Sequence, residues 1–134
     1  MPLPVGSLIA SGPVIIEGGK VLLNRERKPY GITPWLFPGG EVENGDATLE
    51  DACRREAKEE LGIEVELIQP LRPILRRDGE RVIILIHWLA KRRGEIVPGG
   101  NTAEWGWFDV NNLPADCAQN VYDVIKDYRA APTN

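Results

Sequence analysis

The sequence predicts an α+β fold, an α/β/α sandwich with helices packed on the faces of a mixed β-sheet. Three observations carry that expectation. Apolar runs of strand length stand on both sides of a central helical segment. That segment has its own start and stop signals. A second amphipathic segment closes the chain, and no internal repeat interrupts the alternation. With 134 residues, 43% hydrophobic and 27% charged, the chain has the size and composition of one soluble domain spanning 1–134.

Leu8 to Ile16 and Lys20 to Asn24 flank Gly18-Gly19 and read as a hairpin. Lys28 to Trp35 holds two prolines and a glycine, so it reads as a loop. Leu36 to Glu43 is short, extended and interrupted by glycine. Thr48 to Leu61 fits a helix, with Thr48 as N-cap, Asp51 as a weak capping-box partner and Gly62 as the stop. Val65 to Leu75 is mixed, because Pro70 and Pro73 break it. Asp78-Gly79 marks a turn. Arg81 to Ala90 is the clearest strand, Pro98 to Asn101 a loop, and Trp105 to Val110 a later strand. From Cys117 to Arg129, Val121, Val124, Ile125 and Tyr128 form one stripe of a second helix.

Composition excludes several functions. The net charge is −4 and no basic block stands out, which argues against a nucleic-acid polymer as partner. No apolar run is long enough to span a membrane. The start, MPLPVGSLIASG, lacks the positive charge of a signal peptide, so the chain reads as cytoplasmic. Two cysteines and one histidine leave no disulfide framework, zinc site or Ser-His-Asp triad. Cys53 and His87 both read as structural residues.

The chemistry concentrates between Gly39 and Ile63. Glu56, Glu59 and Glu60 fall within five residues of the central helix, behind the turn Phe37-Pro38-Gly39-Gly40. Most acidic helices are solvated faces. Here the phase argues otherwise. At about 100° per residue, Glu56 and Glu60 fall on the side marked by Leu49, Ala52 and Cys53, with Glu59 at its edge. Asp51, Arg54 and Lys58 take the solvent side. Inward carboxylates are costly unless compensated. A hard divalent cation compensates them and keeps waters for a phosphate substrate. Tandem glycines let the backbone approach such a ligand closely.

These residues resemble the signature of the Nudix hydrolase family, Gly-x5-Glu-x7-Arg-Glu-U-x-Glu-Glu-x-Gly-U, with U a bulky aliphatic. Gly40 opens it and Arg55-Glu56-Ala57-Lys58-Glu59-Glu60-Leu61-Gly62-Ile63 closes it. Trp35 to Gly40, Lys20 to Leu23, Glu104 to Phe108 and Leu113-Pro114 extend the resemblance over most of the chain. One departure stands out. Counted from Gly40 the signature's isolated Glu falls on Asp46, and counted from Arg55 it falls on Ala47. One extra residue therefore sits near Ala47, and the supporting role of Asp46 is left open.

The resemblance implies Glu56 and Glu60 as principal ligands of Mg²⁺, or Mn²⁺, with Glu59 as a further ligand or a base acting through water. It implies that the carbonyl of Gly39 completes the site and that Arg55 orients the carboxylates. A carboxylate from a later loop would be Glu104, with Glu95 a weaker alternative. The implied partner is a small nucleotide, and the implied reaction is hydrolysis of a nucleoside diphosphate linked to X. A housecleaning nucleoside triphosphate pyrophosphatase comes first, ADP-ribose or nucleotide-sugar hydrolysis second. A catalytically silent nucleotide sensor is the rival from another class. Arg25, Arg27, Arg76 and Arg77 are candidates for phosphates, and Trp35, Phe37 and Trp105 for substrate contact or base stacking. Pro70 and Pro73 lie too close to Gly62 to mark a subfamily. Family members often form homodimers, but no apolar stripe singles out an interface.

Overall fold

A computed structural model describes residues 2–131. Its elements run β1 (Leu8–Glu17), β2 (Lys20–Lys28), β3 (Gly31–Ile32), β4 (Gly40–Glu41), α1 (Leu49–Leu61), β5 (Glu64–Pro70), β6 (Ile74–Asp78), β7 (Arg81–Arg93), β8 (Thr102–Asp109) and α2 (Gln119–Ala130). The expected hairpin forms, but β1 and β2 pair only beside the turn, at Ile16 with Val21 and Glu17 with Lys20. Beyond it they diverge. β1 runs parallel to β7 from Leu8–Ile83 to Ile15–Ala90, while β2 pairs antiparallel with β8. β5 and β6 extend the β7 side, β4 joins β1, and β3 joins β2.

The divergence leaves room for one helix on each side. Ile15, Leu22, Ile63, Val65 and Ala90 cluster with Ala57 and Leu61 of α1. Val14, Val21, Leu23, Phe37 and Val110 cluster with Val121, Val124 and Ile125 of α2. Neighbouring residues such as Val14 and Ile15 serve opposite layers, as strand alternation requires. Each fully buried aliphatic side chain contributes about 1.5–3 kcal/mol.

Three details depart from the sequence expectation. The segment read as a loop before Trp35 contributes the short strand β3. The mixed stretch after Val65 resolves into β5 and β6, because Pro70 ends one strand and Pro73 precedes the next. Tyr128 is 37% exposed, since the last turn of α2 runs past the core. Among the described residues, no helix is long and apolar enough to cross a membrane.

Candidate active site

Helix α1 is fixed at both ends. Thr48 Oγ1 accepts from the Asp51 N–H at 3.0 Å, and Gly62 closes the helix at φ 67° with its N–H on the Lys58 carbonyl. The extra residue near Ala47 stays in the preceding turn and leaves the helix whole. With its ends set, α1 presents Ala52, Cys53, Glu56, Ala57 and Leu61 inward. Glu60 is half-buried and Glu59 exposed, in the order that the phase predicts.

The loop before the helix lies directly on β1. A Cβ on Gly12 would stand 1.9 Å from the Pro38 carbonyl oxygen, so only glycine admits this approach. At Gly40 a Cβ would stand 2.6 Å from the Glu56 carboxylate. The tandem glycines therefore make room for the sheet on one side and for Glu56 on the other. The Gly39 N–H donates to Glu60 Oε2 at 2.9 Å, and Asn24 Nδ2 donates to the same oxygen at 3.1 Å.

Arg55 ties the acidic groups together. Its guanidinium donates to Glu56 Oε1 at 2.8 Å, Glu59 Oε2 at 3.1 Å and the Glu41 carbonyl at 2.9 Å. It also grips both oxygens of Asp46, at 2.8 and 2.9 Å. Asp46 accepts from the Glu43 N–H as well, and these bonds hold its carboxyl down at about 2. Asp46 is thus the fixed anchor for Arg55.

The inner carboxylates are not neutralised in the same way. Burial raises the pKa of Glu56 despite Arg55 beside it. Burial raises that of Glu60 much further, and the adjacent Glu26 adds to the effect. Among the described residues, no three His, Cys, Asp or Glu side chains converge as oriented to enclose an ion, since Arg55 engages Glu56 and Glu59. The donor set nevertheless fits a hard cation. It consists of carboxylate oxygens, partly buried, with a surplus of negative charge.

A cavity of about 930 Å³ joins this acidic end to a second end of different character. Gly39, Gly40, Glu26, Glu56, Glu59 and Glu60 line the first. Phe37, His87, Gln119 and Asn120 line the second, and Arg76 and Arg81 stand at the mouth beyond Ile83 and Leu85. Phe37 meets His87 edge-on, with ring centroids 4.9 Å apart. His87 Nε2 lies 3.4 Å from Asn120 Nδ2, while His87 Nδ1 and Asn120 Oδ1 have no hydrogen-bond partner among the described residues. Burial lowers the His87 pKa to about 4.

Several expected residues lie elsewhere. Glu104 pairs across from Arg25 and forms a 3.9 Å ion pair with it, on the sheet face opposite Glu60. It is therefore not brought to the acidic cluster. Arg25 also engages the Thr33 carbonyl and Asp116 and lies 5.7 Å over Trp35, which in turn packs against Phe108. These contacts assign Arg25 and Trp35 to the scaffold, not the cavity lining. Arg27 holds the carbonyls of Gly100 and Thr102 and so shapes the loop that walls the cavity. Trp105 is 37% exposed and does not line the cavity. Of the arginines, Arg76 alone among the four named candidates lines it. Sequence reasoning missed Glu26 and Asn120. The period of β2, which puts Leu22, Asn24 and Glu26 on one face, was the available signal for the first. Asn120 carried none.

Comparisons with known proteins agree with this architecture. A family model described as NUDIX domain matches residues 8–128. The chain is 29% identical over 103 residues to the oxidized purine nucleoside triphosphate hydrolase of Danio rerio, covering 75% of this chain and 65% of that protein. It is 35% identical over 128 residues to the ADP-ribose pyrophosphatase of Methanocaldococcus jannaschii, covering 90% and 72%. A MutT NUDIX hydrolase from Burkholderia pseudomallei superposes with a TM-score of 0.79 at 27% identity, covering 90% of this chain and 96% of the other.

Proposed function

The chain belongs to the Nudix hydrolase family, and from that premise we propose that it hydrolyses the pyrophosphate linkage of a nucleoside diphosphate joined to a group X. A nucleoside triphosphate is the first expected substrate. The observation that carries this reading is one continuous cavity with two unlike ends. Carboxylates at one end suit a cation bound to phosphates. The mixed lining of Phe37, His87, Gln119 and Asn120 at the other suits the face and edge of a base.

Nudix hydrolases generally use divalent metals, and here Glu56 and Glu60 would hold Mg²⁺, or Mn²⁺, with Glu59 at the rim and Gly39 alongside. Such an ion, when bound, would neutralise the pyrophosphate and make a water more acidic. The protein's own part is positional. Asp46 fixes Arg55, and Arg55 fixes Glu56 and Glu59. Glu59, the more exposed acid, would be a further ligand or would take the water's proton. Water adds across the P–O–P linkage and gives a nucleoside monophosphate with pyrophosphate or a phosphorylated X. The two free thiols suit a reducing cytoplasm, where we place the reaction.

ADP-ribose or a nucleotide sugar is the second reading, supported by the 35% identity to the ADP-ribose pyrophosphatase of Methanocaldococcus jannaschii. A panel of nucleoside triphosphates, ADP-ribose and nucleotide sugars with Mg²⁺ or Mn²⁺ tests both. Turnover of triphosphates with release of pyrophosphate is expected. Tight binding of one nucleotide with turnover of none would establish the sensor instead.

A further inference from the structure

Glu26 lies outside the helix motif, yet it faces the same carboxylates. Alternation along β2 turns Leu22, Asn24 and Glu26 toward α1. At Glu26 the pairing with β8 slips. Arg25 faces Glu104, Glu26 faces Thr102, and Ala103 is left over. Irregularities of this kind re-aim a side chain and gather beside functional sites. The Glu26 side chain is 13% exposed and lines the same cavity wall as Glu60. Lys28 Nζ, 3.1 Å from Glu26 Oε2, offsets one side of this repelling pair.

A second observation is independent of the acids. Asn24 is fully buried, its Nδ2 donates to Glu60, and its Oδ1 has no partner among the described residues. An amide oxygen left so is unfavourable. A buried amide short of a donor thus stands beside Glu60, which shares the cavity wall with Glu26, and a cation meets the demand of such a group of oxygens.

We propose that Glu26 is a further ligand of the divalent cation, holding it jointly with Glu60 from the strand that faces the helix. The proposal rests on the metal-dependent reading above, but on a residue that the helix motif does not contain. The cation is then clamped between β2 and α1.

Mn²⁺ binding to the full chain, followed by loss of the free-ion electron paramagnetic resonance signal, tests it together with thermal unfolding with and without Mg²⁺. Glu26→Gln should weaken Mn²⁺ binding more than about tenfold. It should also shrink the Mg²⁺-induced rise in Tm and raise the Tm of the metal-free protein, because one repelling charge is gone. Lys28→Met frees Glu26 and should tighten Mn²⁺ binding. If Glu26 only anchors Lys28, both variants will lower the metal-free Tm and leave Mn²⁺ affinity unchanged, which overturns the proposal. Unchanged binding in Glu26→Gln beside a large loss in Glu60→Gln overturns the role of Glu26 alone. A native chain that binds no Mn²⁺ overturns the metal reading and this proposal with it.

Discussion

Helices α1 and α2 differ by one residue in length, 13 against 12, and cover opposite faces of the same strands. Only α1 is secured at both ends. Thr48 caps its start and a left-handed Gly62 its finish, whereas α2 begins at Ala118 with no side-chain cap and ends at Ala131 in extended backbone. Their inner faces differ in kind as well. α2 turns Val121, Val124 and Ile125 inward behind one amide, Asn120, and α1 mixes Ala52, Ala57 and Leu61 with carboxylates. A helix that seals a core can fray at little cost. A helix that aims charges has to hold its phase and its height, so its ends are specified.

The sharpest way to break this contrast is Glu60→Gln. It should lower kcat by about 10²–10⁴-fold while leaving the fold intact, read from steady-state kinetics beside circular dichroism. A matching change on α2, Val124→Ala, should instead cost about 2 kcal/mol of stability with kcat retained.

The α2 side has its own titratable group in His87, which meets Asn120. Burial holds its pKa at about 4 against an ordinary 6.5, so the unfolded chain takes up the proton first as pH falls. Stability should be whole above pH 6.5, decline through pH 4 and lose roughly 3 kcal/mol in all. Urea unfolding across that range checks it, and His87→Gln should remove this part of the slope.

Arg55→Ala releases Glu56 and Glu59 together and leaves Asp46 without its partner. Activity should fall about 10–100-fold, with metal affinity reduced, as for other residues that orient ligands. Smallest of all, Thr48→Ala should cost about 1 kcal/mol by chemical denaturation. Ala118→Ser, at the uncapped start of α2, should not cost stability. Equal losses at both positions would remove the distinction between the helices.

Local signals made α1 readable in advance. Its caps, its glycine stop and the phase of Glu56 and Glu60 all lie within one segment. β7 was readable for the same reason, as one long apolar run. Contacts between distant segments were not. Glu104 looked suitable by its place before a strand, but antiparallel pairing sets it beside Arg25 on the wrong face. Glu26 was passed over between two arginines, because only the fold brings β2 against Glu60. Asn120 meets His87 across 33 residues, and no spacing rule links them. Asp46 stood between these cases, since its charge was visible but its grip on Arg55, nine residues on, was not.

Gly12 lies 27 residues before the Gly39 whose Cα a side chain there would touch, and nothing around it in the chain announces a site. A single methyl at that position would push the Pro38-Gly39 segment off β1 and drag the Glu60 contact with it. Every letter of the signature would survive such a change. A genome reader scoring this chain by its motif would record an intact enzyme, and the lesion would hide in a strand that no pattern search inspects.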